Sequence, residues 1–513
     1  MSSAAAAEQG RPVALVMPLG LHIKPTIATV PSVAVSKSNQ QGNRRALVFT
    51  VVAAAVFMTN LDLWIVNVAL ESIGRDLPGS SLPGLSWVLN AYAVALAALL
   101  IVAGRAGDRI GHRRLFLIGT AIFTTASLGC ALAPNLGVLI GARVIQATGA
   151  ALQLPTSLAL LLASVPVERR HSVARSWAAV GGLAAASGPV LGGLLVEVDW
   201  RWVFVINLPI GVATLLAGRR VLPHPAPRNQ QPLPDLFGSA LLTVAVATLT
   251  GAIVQGPDWG WSSVAVVMLL VAAGLALATF LWRCTRHSVP LLELPLLRVR
   301  SFAVANVGTF VFGVAFAIML LSNALWCQGV WHYSALRTGL AMAPGPAVVP
   351  VVTIASNRLV RRIGPGPASA AGCLLFAVAM MWRVVAADAT PDFVTDLLPS
   401  MLISGIGVGL ALGTLIASGT TALPADRSAT GAAVLNTGRQ VASSVGVAIL
   451  VAVLGTATIR GASVAAFHHA WIVAAALSGL AALTSAFLPH GRQGPARSKR
   501  GTVEFEVPAA TGS

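Results

Sequence analysis

Asp62 is an acid set inside an apolar stretch, Asn60-Leu-Asp-Leu-Trp-Ile-Val-Asn67, where an ionised carboxylate is costly unless something compensates it. At 1.5 Å per residue it lies roughly 12 Å from the expected end of that stretch at Leu70. Arg143 is the matching oddity in another stretch, roughly 10 Å from its start at Leu136. If both side chains face one interior, an Arg in contact stabilises the carboxylate, and an Arg withdrawn leaves the acid free to take a proton. Their separation would then be a proton switch. The alternative is a static ion pair that only registers two helices.

Other residue patterns carry weaker signals. Ala184-Ala-Ala-Ser-Gly-Pro-Val-Leu-Gly-Gly193 combines a proline that removes a backbone hydrogen bond with Gly188, Gly192 and Gly193, which permit close helix contact; such a segment can bend or seal, or simply pack tightly. Gly149 and Pro155 predict a kink in the stretch that holds Arg143. Gly104-Arg-Ala-Gly-Asp-Arg-Ile-Gly-His-Arg-Arg114 predicts a tight reversal at Gly104, Gly107 and Gly111, with Asp108, Arg109, Arg113 and Arg114 in charge networks at neighbouring helix ends. Arg439 reads as a residue that snorkels to water. His468 and His469 fall in a loop without a ligand pattern. Cys130, Cys284, Cys327 and Cys373 are dispersed with no metal spacing, so no metal site and no cofactor are expected.

The elements that must position these residues follow from composition. Of the 513 residues 56% are hydrophobic and only 10% charged, and the mean hydropathy is +0.79. A soluble domain carries about 25% charged residues, so a bilayer must solvate most of this surface. About 20 apolar residues span a bilayer as a helix. Fourteen such stretches are expected, at 46–70, 85–103, 115–133, 136–161, 173–196, 202–217, 236–254, 264–281, 302–325, 339–355, 367–381, 398–418, 433–456 and 470–488. The fold class is all-α integral membrane.

The net charge of +17 sits in clusters between these stretches and not in one patch, so it reads as topology and not as a nucleic-acid footprint. Loops after even-numbered helices hold Arg105, Arg109, Arg113, Arg114, Arg169, Arg170, Arg219, Arg220, Arg228, Arg283, Arg286, Arg298, Arg300, Arg358, Arg361, Arg362 and Arg427. The opposite loops offer little beyond Arg75, Arg201, Arg337, Arg383 and Arg460. Both termini are therefore expected to be cytoplasmic. Trp87, Trp200, Trp202, Trp259, Trp261, Trp331, Trp382 and Trp471 fall near the outer ends as expected interfacial anchors.

A faint repeat matches Gly104–Arg114 to Asn-Arg-Leu-Val-Arg-Arg-Ile-Gly364 on a shared Arg-Ile-Gly, if helices seven and eight are an inserted pair. The expected organisation is a disordered tail over 1–45, a six-helix bundle over 46–220, two inserted helices over 221–300, a second bundle over 301–489 and a tail over 490–513. No cleavable signal peptide is read in the proline-broken first segment.

Together these segments resemble the fourteen-helix drug:proton antiporter family of the major facilitator superfamily, EmrB/QacA-like multidrug efflux transporters. The resemblance is carried by Leu61–Leu70, Gly104–Arg114, Arg143–Pro155, Ser187–Leu195 and Trp200–Gly211, in the expected order. It implies alternating access by two six-helix bundles in a bacterial inner membrane, with export of drugs or antibiotics driven by inward proton movement. By the same resemblance Asp62 and Arg143 are the proton-coupling residues, and Gly104, Asp108, Arg109, Gly111 and Arg113 form the gating loop. Gly188, Pro189, Gly192 and Gly193 match the antiporter motif of helix five.

There are departures. Trp64 and Glu71 stand where the family usually has Thr and Pro, and Ala184 replaces the first motif glycine. Trp64, Asn67, Gln146 and Gln153 are candidate pocket residues. The partners implied are an amphiphilic small molecule, protons and the bilayer, with no nucleic acid and a monomer sufficient. With Asp62 the only firmly buried acid, little preference for divalent cations is expected. Metabolite symport is disfavoured by the helix-five motif, and an intramembrane enzyme lacks HExxH, GxSxG or a phosphate loop among its three lysines. A membrane sensor would more naturally carry a soluble domain.

Overall fold

A computed structural model describes residues 32–78, 80–224, 235–424, 427–455 and 462–489. Fourteen of its helices are long and apolar enough to cross a membrane: α1 Arg45–Asp76, α2 Leu82–Ile110, α3 His112–Ala131, α4 Leu136–Ala163, α5 Glu168–Val196, α6 Trp202–Val221, α7 Leu236–Trp259, α8 Val264–Arg286, α9 Arg300–Val330, α10 Ala335–Ala355, α11 Pro365–Ala386, α12 Phe393–Thr421, α13 Thr430–Leu454 and α14 Val464–Ala486. Each expected stretch falls on one of them, and most helices run further because polar flanks continue the backbone hydrogen-bond ladder beyond the apolar core. The tail expected over 1–45 lies mostly outside the described residues, although 32–44 are helical. Arg228, Arg460 and the tail over 490–513 lie outside them.

Packing repeats with an offset of eight helices. α3 packs on α4 and α6 as α11 packs on α12 and α14, and α2 packs on α4 as α10 packs on α12. The repeat extends to atomic contacts. A Cβ on Gly119 would meet the Gly149 carbonyl at 2.8 Å, and one on Gly372 would meet the Gly407 carbonyl at 2.8 Å. Small residues thus bring both backbone pairs together, the usual basis of helix association where no hydrophobic effect acts.

The Arg-Ile-Gly repeat has the same physical role in both halves. Gly111 ends α2 with φ 106° and Gly364 ends the turn before α11 with φ 90°. Both are conformations that only glycine adopts without strain. The tight reversal expected from Gly104 onward is corrected: α2 stays helical through Ile110, and the chain turns at Gly111 alone. Gly107 serves packing instead, since a Cβ there would meet Thr156 of α4 at 3.1 Å.

Two seams join the halves. At the Arg-poor end α5 packs on α10, and Gln328 of α9 donates to the Val68 carbonyl of α1 at 2.9 Å. Towards the Arg-rich end α2 packs on α13, where Thr437 donates to the Ala97 carbonyl at 3.3 Å. The α7–α8 pair lies against this second seam. Ser239 of α7 donates to the Ala98 carbonyl of α2 at 2.7 Å, and Thr250 meets Ser444 of α13 at 3.0 Å.

Several local expectations are corrected. Trp200, Trp331 and Trp471 are buried against other aromatic rings and are not lipid-facing anchors, whereas Trp202, Trp259, Trp261 and Trp382 are exposed. Arg383, assigned to a loop, is fully buried in the last turn of α11. His468 and His469 lie in α14, where His468 Nε2 meets the Ala387 carbonyl at 3.0 Å.

Candidate functional site

The first half encloses a polar cluster on α1, α3, α4 and α6. Asp62 projects from α1, fully buried, and Arg143 from α4 is 1% exposed. Arg143 Nη1 donates to Asp62 Oδ2 at 2.5 Å, and its Nε donates to the Val88 carbonyl of α2 at 3.1 Å. The guanidinium also lies over the Tyr92 ring at 4.1 Å. Two opposite charges buried among apolar helices repay their desolvation only when further hydrogen bonds complete the shell.

Gln146 completes it. One helical turn beyond Arg143, on the same face of α4, its amide nitrogen donates to Asp62 Oδ1 at 2.9 Å and to Ser127 at 2.8 Å, while its carbonyl accepts from Arg143 at 2.6 Å. Asn207, from the start of α6, adds a weak contact to Asp62 Oδ1 at 3.4 Å. The carboxylate therefore has partners on both oxygens, supplied from α4 and α6. Three polar atoms in this region, Tyr92 Oη, Asn90 Oδ1 and Asn207 Oδ1, are buried without a protein partner. Such atoms are where ordered water enters a buried network.

The remaining expected residues fall in different places. Gln153 is fully buried one layer further along α4, bonded to Thr59 and, at 2.9 Å, to Thr120. Asn67 is 4% exposed and caps the Leu63 carbonyl of its own helix at 3.0 Å. Trp64 lies between the halves, edge-on to Phe316 of α9 with centroids 5.9 Å apart. At the end of α2, Asp108 pairs with His112 at 3.2 Å, and Arg113 donates to the Arg219 carbonyl of α6 at 2.5 Å.

The glycines of α5 make close approaches. A Cβ on Gly188 would meet Trp64 Cβ at 2.5 Å, one on Gly192 the Ile65 carbonyl at 3.1 Å, and one on Gly193 the Ala335 carbonyl of α10 at 2.5 Å. α5 is thus wedged between α1 of its own half and α10 of the other. Past its end, Glu197 accepts from the Leu336 backbone N–H of α10 at 3.0 Å and from Ser334, and these bonds, Ser334 first, hold its carboxyl below the usual range.

Some groups escaped sequence reasoning. Asp62 is not the only buried acid, because Glu71, Asp235 and Asp396 are buried at helix ends. Arg383 donates to Ser400 at 2.7 Å and to Asn323, an unexpected buried cation in the second half. Arg105, read as a topology residue, pairs with Glu293 at 3.7 Å, and Arg427 pairs with the same carboxylate at 2.9 Å. Gln146 had a usable signal in its i, i+3 spacing from Arg143; Glu293 had none, because its partners come from distant segments. Among the described residues no group of His, Cys, Asp and Glu could hold a metal ion.

Fourteen apolar helices, twelve of them in two equivalent sets of six with α7 and α8 between, and a buried ion pair inside one set, define a multi-pass membrane carrier. The chain belongs to the Major Facilitator Superfamily, whose sequence profile it matches over residues 52–447. It is 34% identical over 416 residues to the multidrug resistance protein Stp of Mycobacterium tuberculosis (strain CDC 1551 / Oshkosh), covering 80% of this chain and 76% of that one. It is 33% identical over 405 residues to the tetracenomycin C resistance and export protein of Streptomyces glaucescens, covering 78% and 74%. To the multidrug export protein EmrB of Haemophilus influenzae (strain ATCC 51907 / DSM 11121 / KW20 / Rd) it is 31% identical over 416 residues, covering 80% of each. An auto-inhibited POT family peptide transporter shares the fold with TM-score 0.64 at 16% identity, over 87% of this chain and 96% of that one. The chain is a transporter of small molecules and not an enzyme.

Proposed function

We propose that this protein is a proton-coupled antiporter that exports drugs or antibiotics across the cytoplasmic membrane by alternating access. The observation that carries this reading is the Asp62–Arg143 pair, buried within the bundle and completed by Gln146. Relatives concerned with multidrug and antibiotic export support the cargo class. In this reading Asp62 takes a proton when Arg143 withdraws and releases it when the pair re-forms. Gln146 and Gln153 then belong to the buried relay, while Trp64 on the inter-half face lines the route of the cargo and Asn67 positions α1.

The two bundles at 46–220 and 301–489 are the rocking units, and 221–300 is the inserted pair. The Arg-rich end faces the cytoplasm, both termini lie there, and one copy suffices. Gly104, Asp108, Arg109, Gly111 and Arg113 form the cytoplasmic gating segment, in which the last turns of α2 meet the start of α3 at Gly111. Gly188, Pro189, Gly192 and Gly193 are the helix-five motif that closes the outer end in this reading, supported by the contacts of Gly188 and Gly192 with α1 and of Pro189 and Gly193 with α10.

Uptake of Hoechst 33342 and ethidium into everted vesicles, acid inside, tests the reading. The native chain should clear dye in proportion to the gradient, and Asp62→Asn should be inserted but inactive. Gradient-independent export, or full activity in Asp62→Asn, would overturn proton coupling at this pair.

A further inference from the structure

Arg439 lacks the partners that Arg143 has in the first half. It lies within α13, roughly 14 Å along the helix from Thr430 at 1.5 Å per residue. Its Nε is buried without a hydrogen-bond partner, and its Nη2 makes only a long contact to Asn436 Oδ1 at 3.4 Å. Among the described residues no carboxylate pairs with it. Asp62, the one acid set away from the ends of the fourteen spans, is already bonded to Arg143. A cation left unpaired inside a bilayer span is costly and is a functional candidate by default.

The contacts of α13 show where this cation points. Thr437 donates to α2 and Ser444 meets α7, while Ala442 and Gly446 lie against Gly313 and Val314 of α9. Asn436, Arg439 and Ser443, spaced as neighbours along one helix face, form a polar stripe between the α2 side and the α9 side, and all three are half-buried. Because α2 and α9 belong to opposite halves, the stripe fronts the space between them, where Trp64 meets Phe316. Measured from Arg300, Phe316 lies roughly 24 Å along α9, so the cation precedes the aromatic pair by about 10 Å, the length of a small amphiphile.

We propose that Arg439 binds the acidic group of the cargo, so that the carrier prefers amphiphiles bearing a carboxylate or phenolate over cations of the same size. This rests on the export reading above and adds the substrate class. The guanidinium edge that carries Nε and Nη2 is a two-donor fork matched to a carboxylate, and here one donor is unmet and the other weakly held. The apolar body of the cargo then lies against Trp64 and Phe316. Amphiphiles without an acidic group, the two dyes above included, are held by apolar contact alone.

Fluorescein and rhodamine 123 share one ring frame but are anionic and cationic near neutral pH, and their binding to the solubilised full-length chain, read by fluorescence anisotropy, tests the proposal. The native chain should bind fluorescein more tightly. Arg439→Gln should weaken fluorescein about tenfold or more, the loss of one charge-assisted hydrogen bond, and leave rhodamine 123 within about twofold. Arg439→Lys, which keeps the charge but not the fork, should fall between. Ser443→Asp keeps Arg439 in place and sets an acid one turn away on the same stripe, so it should weaken fluorescein and strengthen rhodamine 123 even where Arg439→Gln fails to fold. Equal loss of both dyes, unchanged fluorescein binding in Arg439→Gln and Ser443→Asp, or a native chain that binds neither dye would overturn the anion site. Arg439-dependent binding of fluorescein without gradient-driven uptake of either dye into everted vesicles would sink the export reading and leave the anion site standing.

Discussion

Arg143 and Asp62 meet at 2.5 Å from helices that are 81 residues apart in sequence, each almost wholly buried. Removing one partner strands the other as an unpaired buried charge, which typically costs about 3–5 kcal/mol, whereas removing both removes the conflict. Asp62→Asn and Arg143→Gln should therefore each lower thermal stability sharply, and the double variant should lose less than their sum. Melting of detergent-solubilised protein reads the coupling; strict additivity would mean that the pair is not energetically linked.

Gln146 holds Asp62, Arg143 and Ser127 at once, without carrying charge. Gln146→Leu leaves buried donors and acceptors unmet, at roughly 1–3 kcal/mol. It should also move the pH dependence of dye export while leaving substrate affinity within a factor of about two, if Gln146 belongs to the relay as proposed, since its amide is taken up by Asp62, Arg143 and Ser127. An unchanged pH profile alongside reduced stability would reduce Gln146 to a packing role.

Glu197 bonds across the halves to Ser334 and the Leu336 N–H, the free donor end of α10. Its carboxyl lies below its ordinary 4.5 when folded, so the stabilisation is fully present above that value and is lost as pH falls through the folded one. The native chain should be more stable than Glu197→Ala at pH 7, and the difference should shrink in acid below about pH 4. Melts of both proteins across pH 3–8 check this, and a difference growing in acid would reverse the assignment.

Gly111 and Gly364 hold φ of 106° and 90° at equivalent turns. No Cβ clash threatens Gly111, so the cost of Gly111→Ala is backbone strain alone, on the order of 1–3 kcal/mol. Gly111→Ala should lower the melting temperature more than Gly438→Ala, a helical position with equal space. Fluorescence-detected size exclusion after heating gives the comparison.

Much of this protein was determined by sequence alone, because a bilayer imposes its demands residue by residue. Fourteen spans, the clustering of Arg in alternate loops, the isolated Asp62 and Arg143 and the repeated Arg-Ile-Gly turn all follow from hydropathy, charge cost and backbone sterics, which need no knowledge of neighbours. Only the tertiary structure decided which groups share a cluster. Gln146 completes the Asp62 shell, Glu293 bridges Arg105 and Arg427, and Arg383 turns inward to Ser400 and Asn323. Apart from Gln146 and Arg143, these partners lie on different helices or, for Glu293 and Arg427, on the segments that precede helices, and their meeting depends on helix rotation and seam geometry. In a membrane those are set by small-residue contacts such as Gly119–Gly149 and Gly193–Ala335, whose partners apolar periodicity does not name.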